Sequence, residues 1–286
     1  MKILVLFFFT ISLFAEKIQI VYSSNLNGNL YSCLCGLKYS VGLVKRASYI
    51  KSKKFDSNSL FLDTGNSFQA GHKLNKSQAI LDSFERMNYS GLGLGSEDLN
   101  YIFKSKEIFK NTFFKNKVLS SNIDLKKMIG TEPLSTKFTS FNFKTSKFKV
   151  FSHFSLNNKF ELDKEAKEEL IFKDYKDTIP SLISNDSINI LLHYGSIVEA
   201  KQIKKDFPSL IIISSAVDST ENKNGKIDSI YSTSDKLGDV IGVIYLEVEK
   251  NKIVKESSEI FKMDYKKITD DDSILKILDK YKLKQD

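Results

Sequence analysis

Residues 60–68 read LFLDTGNSF. Leu60, Phe61 and Leu62 form a short apolar run, and with Ser59 and Asp63 they predict a buried strand, Ser59–Asp63. Thr64-Gly65-Asn66 then supplies turn chemistry directly after it. In α/β folds the polar residues just beyond the carboxyl ends of buried strands converge on the ligand crevice. What surrounds this stretch repeats its form. Upstream, Lys17–Ser23 carries Ile18, Ile20 and Tyr22 and runs into Ser23-Ser24-Asn25-Leu26-Asn27-Gly28. Downstream, the Gly-rich segment Gly91–Leu99 contains Gly95-Ser96-Glu97-Asp98. Ile188–His193 leads into His193-Tyr194-Gly195, and Leu210–Ile213 into Ser214-Ser215-Ala216-Val217-Asp218.

Between these strands the apolar spacing is helical. Val41–Lys51 places Val41, Val44, Ala47 and Ile50 on one stripe; Ser77–Asn88 does so with Ile80, Leu81, Phe84 and Met87; Ile197–Phe207 is a third helix. Lys117–Asn122 and Phe148–Phe154 read as further strands. After Asn222 the pattern becomes hairpin-like, with turn signals at Asn224-Gly225 and Lys250-Asn251 and long antiparallel strands over Val240–Val248 and Lys252–Phe261. Asp271–Leu283 is helical in spacing, with Asp270 or Asp271 as its cap. There is no internal repeat and no Gly-, Ser- or Pro-rich linker. One α/β domain with sheets sandwiched between helices is expected.

The chain has 286 residues, of which 41% are hydrophobic, enough for a sizeable core. Lys and Arg number 43 against 35 Asp and Glu, a formal charge of +8. The excess goes with a general Lys, Asn, Ile and Phe bias, and there is no arginine-rich helix, zinc finger or aromatic RNA platform, so no nucleic-acid partner is expected. Lys2 followed by the apolar stretch Ile3–Phe14 and by Ala15 has the layout of a secretory signal peptide over residues 1–15. Because Leu13 is a poor residue at that distance from the cut, an uncleaved anchor is the competing reading. No later run reaches about 18 apolar residues, so no stable membrane span is expected after signal removal, and the expected location is periplasmic or otherwise exported. Cys33 and Cys35 are the two cysteines. A disulfide across one residue closes a strained ring, and a thiolate metal site needs further ligands. Two plain thiols in a loop, or a redox or ligand role, are the readings left open.

The order of the strand-end segments resembles the metallophosphatase (calcineurin-like phosphoesterase) domain of bacterial periplasmic 5′-nucleotidases and UDP-sugar hydrolases. That pattern runs TNDxHG, GGxxR, LxxGDxF, GNHD or GNHE, LSAN, HxG and GGHxH. The matching stretches are SSNLNG, VGLVKRASYIK, LFLDTGNSF, GLGSEDL, LSSNI, LLHYG and ISSAVD. The resemblance implies a single-domain, four-layer α/β/β/α sandwich over residues 16–262. It also implies that 263–286 is a helix left from an interdomain connector, and that a second, nucleobase-stacking domain is missing. Cys33-Leu34-Cys35 resembles the Cys-x-Cys or selenocysteine motif of one nucleotidase-like group within this family.

Residue by residue, the resemblance implies a degenerate metal site. The Asp and His of the first motif are Asn25 and Asn27. The bridging Asp is Asn66, the metal-binding Asn is Ser96, and the neighbouring catalytic His is Glu97. Asp98 and His193 are retained, while the terminal His pair is Ala216 and Asp218. Two divalent cations about 3.5–4 Å apart repel, and a neutral amide does not offset that as a bridging carboxylate does. At most one weakly bound divalent cation is expected, held mainly through oxygen by the surviving set Asn25, Asn27, Glu97, Asp98, His193 and Asp218. The expected function is an exported binding or scaffold protein for a small molecule or protein, without dinuclear hydrolase activity. A divergent metal-dependent phosphoesterase with Glu97, Asp98 and His193 as catalytic candidates is the alternative, and thiol chemistry at Cys33 and Cys35 a third. Read without the resemblance, Asn25, Asn27 and Asn66 are turn formers, Glu97 and Asp98 cap a helix, and His193 is a hydrogen-bonded strand-end residue. His72 and His153 match no ligand position and are expected at the surface or rim.

Overall fold

The computed structural model describes residues 15–35, 38–69, 71–124, 136–216, 224–233 and 238–284, with backbone alone for 33–35, 38, 39 and 216. Its strands are, in chain order, β1 (Glu16–Ser23), β2 (Cys33–Cys35), β3 (Lys38–Ser40), β4 (Ser59–Asp63), β5 (Tyr89–Leu92), β6 (Ile123–Asp124), β7 (Phe138–Asn142), β8 (Lys147–Phe154), β9 (Ile171–Phe172), β10 (Ile188–Gly195), β11 (Ile211–Ala216), β12 (Gly225–Ile227), β13 (Ile230–Ser232), β14 (Val240–Glu249) and β15 (Lys252–Lys262). The helices used below are α1 (Gly42–Ser52), α2 (Leu74–Arg86), α3 (Ser96–Lys104), α4 (Thr112–Lys117), α5 (Lys164–Glu169), α6 (Tyr175–Leu182), α7 (Ile197–Asp206) and α8 (Asp272–Lys280).

Two sheets carry the fold. One has the order β15-β14-β1-β4-β5 and the other β12-β13-β11-β10-β8-β7. β1, β4 and β5 are mutually parallel, as are β8, β10, β11 and β13, while β14, β15, β7 and β12 run antiparallel to their neighbours. Strand alternation explains the layering. Ile18, Ile20 and Tyr22 of β1 meet Ile190 and Leu192 of β10 and Ile211 and Ile213 of β11 in one core between the sheets. Val21 faces the opposite way, into a core shared with α1, α2, α3 and α8. Leu191 and Ile212 face outward against Ile179 of α6 and Ile203 of α7. Helices, sheet, sheet and helices follow in that order, the expected four-layer sandwich.

Two local expectations are corrected. Lys117–Asn122 is not a strand: α4 continues to Lys117, capped by the Asn111 side chain, which accepts from Phe114 N. Only isolated bridges at Val118 and Leu119 follow. Lys117 belongs to the last turn of α4, and the chain bends at Ser121-Asn122, so only Val118 and Leu119 are left to pair. Asn224-Gly225 is not a turn either; Gly225 begins β12, and the reversal falls at Asp228-Ser229. The Lys250-Asn251 turn is as expected, with φ of 46° and 65° at its two residues, the left-handed pair of a tight hairpin. Asp271 caps α8, accepting from Ser273 N and Ile274 N.

Candidate functional site

The loops after β1 and β4 continue their strands' pairing beyond the sheet. Asn25 N donates to Gly65 O at 2.9 Å, Asn27 N to Asn66 O at 2.8 Å and Gly28 N to Ser67 O at 3.0 Å. Keeping that pairing while the chain turns requires left-handed backbone at Asn25, Asn27 and Asn66, with φ of 51°, 48° and 57°. Asparagine tolerates this region better than other non-glycine residues. The turn-forming role read for all three is therefore present in the backbone. His72 lies over this loop, so close to Gly28 that a Cβ there would come within 1.7 Å of the ring. It is half-buried, and burial with the Lys76 charge lowers its pKa to about 4.

Asp98 pins the second and third loops together. Its Oδ2 accepts from Asn66 N at 2.6 Å and Gly95 N at 2.9 Å, and its Oδ1 from Phe68 N at 2.8 Å. It caps α3, as expected, and fixes the turn after β4 as well. Burial, with the Asp63 charge adding to it, pushes its carboxyl up to about 7 against those three N–H groups. Beneath it, Arg46 of α1 and Asp63 form a fully buried ion pair at 3.7 Å. Asp63 Oδ2 also accepts from Ser23 Oγ at 2.7 Å, and Arg46 Nη2 donates to Gly238 O at 2.8 Å.

Tyr194 joins the two sheets. Its hydroxyl lies 3.1 Å from Asn66 Nδ2 and 2.8 Å from Ser96 Oγ, and donates to Glu161 Oε2 at 2.8 Å. Asn66 Oδ1 in turn accepts from Glu97 N at 3.1 Å. Gly95 has to lack a side chain here, because a Cβ would come within 2.2 Å of Asn66 Oδ1. The ring stacks on Phe154 with centroids 5.4 Å apart. Burial and the Glu161 charge raise the phenol's pKa, so it stays a neutral hydroxyl.

His193 shares a strand face with Leu191, the face that carries the α6–α7 layer, and Tyr194 shares the face of Leu192 between the sheets. Both nitrogens of His193 are engaged, Nδ1 with Ser214 Oγ at 3.0 Å and Nε2 with Glu199 Oε2 of α7 at 3.4 Å. His153 corrects the surface expectation: it is 2% exposed and stacks on His193 with centroids 6.0 Å apart. The parallel strands β8 and β10 set the two histidines side by side. Glu199 Oε1 lies 3.6 Å from His153 Nε2. Burial lowers the His153 pKa; burial alone would raise that of Glu199, but the hydrogen bond to His193 and the nearby His153 ring hold it below the usual range.

The remaining candidates fall as follows. Ser96 and Glu97 open the first turn of α3, Ser96 buried and Glu97 partly exposed. Ala216 ends β11, with only its backbone described, and Asp218 lies outside the described residues. Cys33 and Cys35 sit on β2, paired with β3, their side chains also outside the description, as are residues 1–14 of the expected signal peptide. Among the described residues no group of three His, Cys, Asp or Glu side chains is gathered so as to hold a metal ion. Sequence reading assigned no role to Tyr194, Ser214, Glu161 or Glu199. The first two stand inside the quoted segments LLHYG and ISSAVD, whereas nothing local marks the two glutamates.

No family model matches the sequence, and no curated protein does. The fold has clear counterparts among solved structures. The calcineurin-like phosphoesterase YfkN of Bacillus subtilis aligns over 93% of this chain and 97% of its own, with TM-score 0.70 and 15% identity. A 5′-nucleotidase precursor of Thermus thermophilus aligns over 93% of this chain and 58% of its own, with TM-score 0.64 and 13% identity. The sulfate thiohydrolase SoxB of the same organism aligns over 92% and 60%, with TM-score 0.68 and 12% identity. The chain thus spans about three-fifths of the length of the latter two. It has the metallophosphatase fold found in 5′-nucleotidases and calcineurin-like phosphoesterases.

Proposed function

We propose that this chain is a non-hydrolytic, exported binding or scaffold protein built on the metallophosphatase fold. One observation carries the reading: Asn66 and Ser96, at the positions the resemblance gives to the bridging Asp and the metal-binding Asn, both bond the Tyr194 hydroxyl instead. A neutral amide, a serine and a neutral phenol provide no charge to hold paired cations together. The two retained family residues, Asp98 and His193, are occupied too. Asp98 accepts three backbone N–H groups, and His193 is held between Ser214 and Glu199. The residues present therefore do not fit a dinuclear metal centre, and no catalytic step is derived through one. The proposal includes a small-molecule or protein ligand, removal of residues 1–15 on export, and kinship with the Cys-x-Cys group.

The test is metal content of the purified protein together with p-nitrophenyl phosphate hydrolysis after incubation with Mn²⁺, Zn²⁺ or Mg²⁺. Substoichiometric metal and no chelator-sensitive turnover are expected. Robust chelator-sensitive hydrolysis that His193→Ala abolishes would overturn the proposal in favour of a divergent phosphoesterase. Mass spectrometry of the native protein with and without reductant settles the state of Cys33 and Cys35.

A further inference from the structure

A cavity of about 400 Å³ lies at the end of β4 opposite the strand-tip site, among the last turns of α1 and α2, the segment before β4 and the first turn of α8. Its floor is apolar: Ala47, Ile50, Met87 and Ile274 are all buried. One wall is aromatic, formed by Phe55 and Phe61 edge to face with centroids 5.7 Å apart. Its rim is cationic, with Lys51, Lys54 and Arg86 all exposed. Two carboxylates, Asp56 and Asp271, also stand at the rim, which leaves the three cations one charge in excess. Asp56 accepts from Asn58 N at 2.9 Å; Asp271 caps α8 and meets Lys51 at 3.8 Å. Among the described residues Lys54 and Arg86 have no ion-pair partner. Cations near the carboxyl ends of α1 and α2 suit the helix dipoles, but the dipoles do not account for an apolar cavity ringed by them.

We infer that this cavity binds a small amphiphilic organic anion, its apolar or aromatic body against Phe55, Phe61 and Met87 and its anionic head between Lys54 and Arg86. The volume is within the range of small-molecule sites, which combine apolar walls with a few polar groups that orient the ligand. The charge complementarity selects an anion over a neutral molecule of the same shape. This site is independent of the strand-tip reading: none of its lining residues takes part in the Tyr194, Asp98 or His193 networks.

The experiment is a fluorescence titration of the full chain with 8-anilinonaphthalene-1-sulfonate and with its neutral counterpart N-phenyl-1-naphthylamine. The sulfonate is expected to bind about tenfold more tightly. Lys54→Glu combined with Arg86→Glu, both at exposed positions, should weaken the sulfonate about fivefold or more and leave the neutral amine unchanged. Ala47→Leu, which fills the floor, should weaken both probes. Equal affinity for the two probes, or a sulfonate titration unmoved by the charge reversal, overturns the inference. If Ala47→Leu fails to fold, the charge-reversed variant, with its melting temperature checked against the parent, decides alone.

Discussion

Asp98→Asn probes the way the strand-tip loops are held. The carboxylate accepts three backbone N–H groups, two on Oδ2 and one on Oδ1. An amide has one accepting oxygen, so whichever way it is turned its NH₂ faces at least one buried N–H. The better orientation leaves Phe68 N orphaned, at about 1–3 kcal/mol. That cost is set against the ionised carboxylate; a protonated carboxyl carries an O–H among the same three donors, so the pH dependence is separate from it. With the native carboxyl at about 7 against an ordinary 3.8, the folded chain holds a proton between those values that the unfolded chain has released. Unfolding is then opposed most strongly below about pH 4, and the parent loses stability as pH rises toward 7, by up to about 4 kcal/mol from this group. The variant lacks that titration. Urea unfolding followed by far-UV circular dichroism and tyrosine fluorescence, in a protein with 12 Tyr and no Trp, should show the parent losing stability relative to the variant from pH 4–5 to pH 7–8. A parent advantage that grows with pH over that range would mean that the three N–H donors outweigh desolvation, and the reasoning fails. Equal stability at every pH would refute the hydrogen-bond set itself.

Two further outcomes concern the buried network. Tyr194→Phe removes the hydroxyl shared by Asn66, Ser96 and Glu161 and should cost about 1–3 kcal/mol in thermal or urea unfolding without creating phosphatase activity; an unchanged melting temperature would show that the tyrosine cross-link contributes nothing. Arg46→Met leaves Asp63 buried without its cation and should cost about 3–5 kcal/mol. The double variant Arg46→Met/Asp63→Asn should be less destabilised than the sum of the two single ones, since the pair acts as a unit across 3.7 Å; strict additivity in the unfolding free energies would count against a coupled pair.

Sequence pattern determined a good deal here. Alternation in 17–23 and the apolar run at 59–63 placed β1 and β4 almost to the residue, and helical spacing placed α1, α7 and α8 within a residue or a few. Asn25, Asn27 and Asn66 announced turns, and the order of the strand-end segments, through the family it resembles, announced the layered fold. These are local properties: a side chain's face follows from its parity along a strand, and a turn's φ from the one or two residues that adopt it. What fills the strand-tip cleft is not local. Tyr194 meets Asn66 across 128 residues of chain and Ser96 across 98. His153 is buried because β10 and α6 cover it, with Tyr175 edge-on at 6.1 Å, and no pattern within Phe148–Phe154 encodes what lies against that face. Glu161 and Glu199 reach the centre from a short helical turn and a neighbouring helix, as ordinary charged residues in their own surroundings. The chain's covalent order chose the fold; only close packing of the two sheets decided which polar side chains satisfy one another at their junction, because a buried hydrogen bond depends on where separate segments end in space.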